Sequence, residues 1–281
     1  MTGVNGPAED LTDRRLVVVT GASSGIGLAA AVDLGRRGDQ VVLVGRDPSR
    51  LRAAADEVRE ASGELPEVFR ADFAALDDVR QLAGQLRAAY DRIDVLAQNA
   101  GAIVLQPITT VDGFELSIQA NHLAPFLLGN LLADRVRRMV VTASGAHRSG
   151  TLDPDDLNAP LRGYGPLSAY GTSKQANILF TAEAARRWPA VGSYCFHPGV
   201  VRTRFGNESR VVALGMRLLP LRGPVKGAQT LVWLANQDRS RLIDGGYYFD
   251  CRPRRPLPRA ADPRLAARLW TASAVAVGIT A

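Results

Sequence analysis

The sequence feature that constrains the fold most is a glycine-rich turn between an apolar strand and a helix. Residues 16–19 form a continuous apolar run, residues 20–27 read Thr-Gly-Ala-Ser-Ser-Gly-Ile-Gly, and a helical stretch follows up to Gly38. Glycines let the backbone turn tightly, and a helix N-terminus supplies free amides and the positive end of a dipole. The turn therefore predicts a site for the pyrophosphate of a dinucleotide, formed by Gly21, Ser23, Ser24, Gly25, Ile26 and Gly27.

Short apolar runs alternate with Ala-, Leu- and Arg-rich helical stretches along the rest of the chain. The strand-like runs are residues 16–19, 41–44, 68–69, 93–97, 139–141, 194–196 and 247–249; the helical stretches are 26–37, 49–61, 77–90, 114–134, 168–187 and 224–236. Strands that are apolar on both faces and alternate with helices predict an α/β domain with a parallel sheet covered on both sides. Two long interruptions, 145–167 and 204–223, are where functional loops are expected.

Composition narrows the classes of function. The length of 281 residues fits one large α/β domain or two small ones, and the content of 46% hydrophobic and 22% charged residues is typical of a soluble globular protein. The net charge of +6 comes from scattered arginines without interleaved aromatics, so no nucleic-acid partner is expected. Cys195 and Cys251 have no disulfide or metal spacing, and the N-terminus has no signal-peptide pattern, which together predict a cytoplasmic protein. The apolar tail after Trp270 is too short for a membrane span, and the histidines show no metal spacing.

A tyrosine and a lysine one helical turn apart form the candidate reaction centre. Of 34 Lys and Arg residues only two are lysines, and Lys174 follows Tyr170 by four residues in the helical stretch 168–187. That spacing puts both side chains on one face of a helix. An ammonium there lowers the pKa of a phenol from about 10 towards neutral pH, which makes the tyrosine a candidate general acid or base. The competing interpretation is a Tyr–Lys pair on a solvated helix face.

The end of the second apolar run bears on the choice of cofactor. Arg46 follows Gly45 where a free ribose 2′-hydroxyl favours an acidic residue and a 2′-phosphate favours arginine. Arg46 therefore predicts NADP(H) in preference to NAD(H). Asp47 follows it, so a surface arginine unrelated to the cofactor is the alternative.

From about residue 15 to residue 251 the chain resembles the short-chain dehydrogenase/reductase family. The resemblance rests on the turn at 20–27, Asp72, Asn99-Ala100-Gly101, Asn121, Tyr170 with Lys174, and Pro198-Gly199, each in its place after a strand or within a helix. Residues 121–128, 141–147 and 246–251 are similar to the retinol-dehydrogenase-like branch and to bacterial polyketide ketoreductases of the daunorubicin type.

The resemblance implies a single Rossmann-type α/β domain, a doubly wound parallel sheet of seven strands in the order 3-2-1-4-5-6-7 with helices on both faces. It also implies roles for individual residues. The adenine side would be formed by Asp72 and Phe73, the adenosine ribose side by Asn99, Ala100 and Gly101, and the nicotinamide side by Pro198, Gly199, Val201 and Thr203. Ser144 would hold the substrate oxygen, Tyr170 would exchange its proton, and Asn121 would anchor a water leading to Lys174.

Three positions depart from the family pattern. Gln98 replaces the first residue of Asn-Asn-Ala-Gly, for which we expect a small structural cost. An alanine replaces the first serine of a Ser-Ser pair, so alignment on Ser-x-Ala-His selects Ser144 as the catalytic serine, whereas alignment on the strand puts Gly145 there. Pro125 stands where the retinol-dehydrogenase branch has histidine, and a proline there is expected to kink the helix after its first turn.

The predicted function is NADPH-dependent reduction of a carbonyl group on a hydrophobic, polycyclic or polyketide substrate. Apolar residues in 204–223 predict a substrate lid; packing of this segment on the core or on a second subunit of a homodimer is the alternative. Two other functions are kept: an NADP-dependent retinol-like alcohol dehydrogenase working in the oxidative direction, and a non-catalytic dinucleotide-binding regulator. The predicted organisation is a disordered leader 1–13, the domain 14–255 and a helical tail 256–281.

Overall fold

The computed structural model describes residues 14–201 and 221–280, in which strands and helices alternate as expected. The strands are β1 Leu16–Thr20, β2 Gln40–Gly45, β3 Glu67–Arg70, β4 Val95–Gln98, β5 Arg138–Thr142, β6 Gly192–His197, β7 Tyr247–Phe249 and β8 Arg252–Arg254. The helices are α1 Gly25–Arg36, α2 Pro48–Ser62, α3 Leu76–Ala89, α4 Leu116–Ile118, α5 Ala124–Leu132, α6 Pro166–Arg187, α7 Pro224–Asn236 and α8 Pro263–Ala276. The predicted leader 1–13, Thr203 and lid residues 204–220 lie outside the described residues.

The strands form one sheet in the order β3-β2-β1-β4-β5-β6-β7-β8. The first seven are parallel, which confirms the predicted doubly wound order. Strands β2 and β3 are added on one side of β1, and β4 and the later strands are added on its other side. β1 and β4 are therefore neighbours although they are far apart in sequence. Ligands of such sheets bind at the carboxyl ends of the strands beside this switch point.

An eighth strand corrects the prediction of seven. β8 pairs antiparallel with β7, from Tyr247↔Arg254 to Phe249↔Arg252. The two residues between them, Asp250 and Cys251, have φ angles of 51° and 56°, as in a two-residue type I′ hairpin turn. The strand has no apolar run and contains a proline, and the turn lacks the Asn-Gly or Asp-Gly pair that usually signals such a hairpin. Residue patterns therefore do not predict it.

The apolar strands are buried on both faces of the sheet. In β1, Val17 and Val19 pack with α1, α2 and α7, whereas Val18 packs with α3, α5 and α6. All three valines are fully buried, and each contributes about 1.5–3 kcal/mol relative to an exposed side chain. The glycine-rich turn therefore begins at a strand that is buried along its whole length.

The helix predicted over residues 114–134 is present as a continuous helical stretch over 116–132, with an interruption inside it. A π-helical turn, Gln119–Leu123, separates α4 from α5, and the Ala124 amide donates to the Gln119 carbonyl five residues earlier. Pro125 comes next and has no N–H to donate to the residue 121 carbonyl, so the regular pattern of hydrogen bonds is interrupted. The interruption that proline predicts is present, and it places Asn121 inside the widened turn.

The last described helix, α8, covers α5 and α6. Trp270 lies with its ring 5.0 Å from Phe126 and 5.1 Å from Trp188, and Ser273 Oγ is 2.9 Å from His122 Nε2. The segment that follows the sheet in sequence therefore closes this face of the domain. Within residues 14–201 and 221–280, none of the helices combines the length and the hydropathy that a membrane-spanning segment requires.

Candidate active site

The turn after β1 has a backbone that only glycine accommodates. Gly21 and Gly25 have φ angles of 66° and 59°, and a Cβ on Gly27 would lie 2.3 Å from the Gly21 carbonyl oxygen. Helix α1 begins at Gly25; its N-cap residue Ser24 makes no side-chain capping bond, and its first turn holds no acidic residue. The first amides of α1 are therefore free to bind an anion, and the glycines leave room for a pyrophosphate.

The segment after β4 is bound to the same turn. The amides of Asn99 and Ala100 both donate to Thr20 Oγ1, each at 3.0 Å, and Asn99 Nδ2 donates to the Thr20 carbonyl at 3.2 Å. A Cβ on Gly21 would meet Ala100 Cα at 2.8 Å. These contacts bring together two predicted cofactor segments that lie nearly eighty residues apart.

The turn also contacts β2 and α7. A Cβ on Gly45 would be 3.4 Å from Ser23 Oγ, and one on Gly227 would be 3.2 Å from Ile26 Cγ1. Ser23 therefore lies at the end of β2, where the side chain of Arg46 is exposed.

The carboxylate beside Arg46 is already engaged. Asp47 Oδ1 accepts from the amides of Ser49 at 2.9 Å and Arg50 at 3.1 Å, which makes Asp47 the N-cap of α2. The Ser49 side chain and the Arg50 amide hold the pKa of Asp47 below its usual range. Helix capping thus accounts for an acidic residue at this position.

The predicted adenine contacts follow β3. Asp72 Oδ1 accepts from the Ala74 amide at 3.0 Å, and the Asp72 amide donates to Asp78 Oδ2 at 2.9 Å. The Phe73 side chain is buried in the core on the α3 side of the sheet. Asp72 therefore shapes the turn at the carboxyl end of β3, and Phe73 anchors that turn to the core.

Asn121 joins the loop after β4 to α6. Its Oδ1 accepts from the Ala102 amide at 2.7 Å, and its Nδ2 donates to the Ala102 carbonyl at 2.9 Å and to Ser173 Oγ at 3.0 Å. A Cβ on Gly101 would be 2.8 Å from Asn121 Oδ1 and 3.3 Å from Lys174 Nζ. Three predicted site residues from separate segments therefore meet at one place.

Lys174 is buried with its charge poorly solvated. It is 2% exposed, its Nζ donates to the Thr142 carbonyl at 3.0 Å, and Nζ lies 5.4 Å from the centre of the Tyr170 ring. Burial lowers the pKa of Lys174 to about 7, because the ammonium loses hydration. The amine can therefore gain or lose a proton near neutral pH, beside the tyrosine.

Tyr170 is half-buried, and burial raises its pKa to about 12, while the neighbouring Ser144 side chain acts to lower it. This corrects the expectation that Lys174 lowers the pKa of Tyr170 towards neutral pH. In the protein alone, desolvation of the phenolate outweighs the hydrogen bond to the Ser144 side chain. Tyr170 is therefore protonated at neutral pH, the form that a general acid requires.

Ser144 follows β5 and begins the 3₁₀ turn Gly145–Ser149, and its Oγ accepts from the Ala146 amide at 3.1 Å. Of the two alignments considered, the one that selects Ser144 puts a hydroxyl next to Tyr170. Gly145 has no side chain with which to hold a substrate oxygen.

The predicted nicotinamide side follows β6. Gly199, directly after Pro198, has φ 87°, and a Cβ there would meet Arg222 Cδ at 2.6 Å. Val201 is buried and pairs with Arg222 in an isolated parallel bridge. Arg222 therefore covers this segment, and Thr203 lies outside the described residues.

Sequence reasoning missed two groups that organise the site. The Thr142 carbonyl accepts from Lys174 Nζ and, at 3.2 Å, from Asn177 Nδ2; every residue has a carbonyl, so no residue pattern marks it. The Thr20 hydroxyl accepts from two amides of the segment after β4. A hydroxyl residue at the end of β1 is the only signal for that contact.

Comparison with known sequences agrees with the glycine-rich turn, the free amides of α1 and the Tyr170–Lys174 pair. Residues 15–211 match the sequence profile of the short chain dehydrogenase family. The chain belongs to this family. DnrU of Streptomyces sp. (strain C5), named as a daunorubicin C-13 ketoreductase, is 52% identical over 95% of this chain and 94% of its own. Human retinol dehydrogenase 13 is 35% identical over 100% of this chain and 90% of its own.

A solved member of the short chain dehydrogenase family adds a structural comparison. An Escherichia coli CFT073 short chain dehydrogenase in complex with NADPH is 27% identical, with a TM-score of 0.64 over 86% of this chain and 98% of that one. Fold, sequence profile and relatives agree that this short chain dehydrogenase is an NAD(P)-dependent oxidoreductase acting on CH–OH and C=O groups. The predicted family, its branch and the resemblance to daunorubicin-type ketoreductases are confirmed.

Proposed function

We propose that this short chain dehydrogenase is an NADPH-dependent ketoreductase for hydrophobic, polycyclic carbonyl compounds. One observation carries the proposal: buried Lys174 lies beside Tyr170 and is held by the Thr142 carbonyl, next to the loop that joins the glycine-rich turn. A lysine is placed in such a site at a high energetic cost, and perturbed amines of this kind are concentrated at functional sites.

The residues around Tyr170 can complete a reduction once the cofactor is bound. Bound nicotinamide supplies the hydride. Negative charge then develops on the substrate oxygen; Tyr170 gives that oxygen its proton, and the Ser144 hydroxyl donates a hydrogen bond to it. Lys174 stabilises the phenolate that remains, and Asn121 fixes the loop and helix that hold the lysine.

The 52% identity to DnrU, named as a daunorubicin C-13 ketoreductase, supports reduction as the direction of the reaction. The same residues serve either direction, because the group that gives a proton to the carbonyl oxygen in reduction takes it from the hydroxyl in oxidation. Retinol-like oxidation is therefore the second candidate, supported by the 35% identity to human retinol dehydrogenase 13.

Two observations support NADPH as the cofactor. Arg46 is exposed at the end of β2 beside the glycine-rich turn, where its guanidinium suits a 2′-phosphate. Asp47, the carboxylate that would favour a free 2′-hydroxyl, is engaged in capping α2. The E. coli relative in complex with NADPH supports the same assignment.

The polycyclic substrate is supported by the 52% identity to DnrU, named as a daunorubicin C-13 ketoreductase. Apolar residues in 204–223 are consistent with a hydrophobic lid, although residues 204–220 lie outside the described part of the protein. We also propose a cytoplasmic location, supported by Cys195 and Cys251, which are both free thiols.

A ketone and alcohol panel tests the proposed function. Oxidation of NADPH is followed with aryl and polycyclic ketones, and reduction of NADP⁺ with the corresponding alcohols and with retinol. We expect turnover of ketones, at least about tenfold faster with NADPH than with NADH, since tenfold corresponds to about 1.4 kcal/mol. Faster oxidation of retinol than reduction of any ketone at neutral pH would reject the ketoreductase in favour of the dehydrogenase.

A further inference from the structure

His197, the last residue of β6, has its imidazole ring held between the neighbouring strands. The ring stacks on Phe249 of β7, with centroids 5.0 Å apart and planes at 19°. Strand β5 flanks β6 on the other side. Just after β5, a Cβ on Gly145 would lie 3.0 Å from His197 Nε2 and 3.3 Å from its Cε1. A side chain at position 145 would crowd the ring, so the ring lies between Phe249 on one side and Gly145 on the other.

The tautomer of His197 is also fixed. The Gly199 amide donates to Nδ1 at 3.2 Å, so Nδ1 carries no proton and the neutral ring carries its proton on Nε2. Burial, with Arg222 nearby, lowers the pKa of His197 to about 4. At neutral pH the ring therefore presents one N–H donor, on Nε2, in a fixed direction.

Among residues 14–201 and 221–280, no group accepts a hydrogen bond from that N–H. His147, on the other side of Ser144, differs: its Nδ1 lies 2.7 Å from the Ser144 carbonyl, and its Nε2 accepts from the Leu257 amide at 3.4 Å. Both nitrogens of His147 are used by the fold, whereas His197 keeps a donor at the carboxyl end of the sheet. A half-buried, oriented donor that has no partner within residues 14–201 and 221–280 is suited to binding a ligand atom.

The position of the donor indicates which atom it binds. His197 Nε2 lies against Gly145, and Gly145 follows Ser144, with consecutive Cα atoms about 3.8 Å apart. Ser144 is the residue proposed to hold the reacting carbonyl oxygen. The two donors therefore lie at the same end of the sheet, one on Ser144 and the other against the residue that follows it.

We propose that His197 is a specificity-determining residue, whose Nε2–H binds a second oxygen of the substrate beside the reacting carbonyl. The substrate class is a ketone with a hydroxyl or carbonyl group on a neighbouring carbon. This inference rests on the proposed reductase function and adds a requirement for a second oxygen, which hydrophobicity alone does not impose.

Two substitutions distinguish the hydrogen-bond donor at His197 Nε2 from the structural role of the imidazole ring. His197→Asn keeps an acceptor for the Gly199 amide but has no atom at Nε2; His197→Gln can place an amide N–H near the Nε2 position. Acetophenone and its α-hydroxy derivative are the matched substrates. The binding constant for NADPH, measured for each variant, shows whether the cofactor site is intact.

We expect the wild type to prefer the α-hydroxy ketone in kcat/KM. His197→Asn should reduce that preference about tenfold, as loss of one oriented hydrogen bond implies, with little change for acetophenone. His197→Gln should restore most of the preference. A wild type without preference, or a preference unchanged in His197→Asn, overturns the inference alone; a wild type that reduces none of the ketones of the panel, these two included, overturns the proposed function with it.

Discussion

The nucleotide side and the reaction side of this site are built in different ways. The nucleotide side is mostly backbone: positive-φ glycines and free helix amides within residues 20–27. The reaction side combines Asn121, Ser144, Tyr170 and Lys174 from three segments, held by hydrogen bonds to the residues around them. Substitution on the nucleotide side should therefore act through steric exclusion, and on the reaction side through loss of chemistry with the fold retained.

The two sides also differ in what they cost the fold. The glycines make room without burying charge. Lys174 is 2% exposed with a pKa lowered to about 7, against about 10.4 for an unfolded lysine. Between these pH values the unfolded chain binds more protons than the folded one, so this residue makes the free energy of unfolding rise with pH from about 7 to 10. Below that window the buried ammonium lowers the stability of the folded protein.

The largest effect is expected from Lys174→Met. Loss of the amine should lower kcat/KM for ketone reduction about a thousandfold, within the range of proton-transfer catalysis. The same variant should gain stability at pH 7 and below, because no charged group is buried, and its stability should change less with pH between about 7 and 10. Steady-state kinetics and thermal unfolding at several pH values measure both. A variant less stable than the wild type at pH 6 would show that burial of the charged amine does not destabilise the protein.

Gly27→Ala tests the steric side of the comparison. The new Cβ would lie 2.3 Å from the Gly21 carbonyl oxygen and 2.6 Å from Asn99 Nδ2. We expect about a hundredfold weaker NADPH binding, and destabilisation of about 1–3 kcal/mol from overpacking. The control is Gly84→Ala in α3, where no atom of the described residues lies within 4 Å of the new Cβ. That change should leave NADPH binding intact; equal losses in both variants would contradict the steric account.

Arg46→Ala tests cofactor choice on the nucleotide side. A charged hydrogen bond to phosphate contributes about 1.5–3 kcal/mol, so NADPH should bind about ten- to a hundredfold more weakly. NADH binding should stay within about twofold, which is under 0.5 kcal/mol. The control is Arg52→Ala, at an exposed arginine on α2, which measures the effect of losing a positive charge elsewhere on the surface. Equal weakening of the binding of both cofactors by Arg46→Ala would show that Arg46 does not contact the 2′-phosphate.

Asp47→Ala should have the smallest effect. The carboxylate caps α2 through the Ser49 and Arg50 amides, so its loss should destabilise the protein slightly. The ratio of NADPH to NADH affinity should not change. Denaturant unfolding and cofactor titration measure the two quantities, and a ratio shifted towards NADPH would mean that Asp47 also contacts the ribose.

The same contrast explains what the sequence could predict. The positions of β1 to β7 follow from apolar runs that are local in sequence, and their order in the sheet follows from the resemblance to the family. β8 depends on polar residues pairing at an exposed edge, which no residue pattern marks. Pro125 predicts an interruption of the helix, but not the π-helical form that the turn Gln119–Leu123 takes. The pKa of Tyr170 was predicted in the wrong direction, since spacing along a helix does not reveal how deeply a phenol is buried.

The most direct test of Tyr170 as the proton donor is the single-turnover rate of NADPH oxidation. Wild type and Tyr170→Phe are each saturated with NADPH and mixed with an excess of a ketone that the wild type reduces. The account predicts an unchanged NADPH dissociation constant and a rate lower by about a hundred- to ten-thousandfold in Tyr170→Phe, as expected for loss of a general acid. A rate within about threefold of the wild type would contradict it.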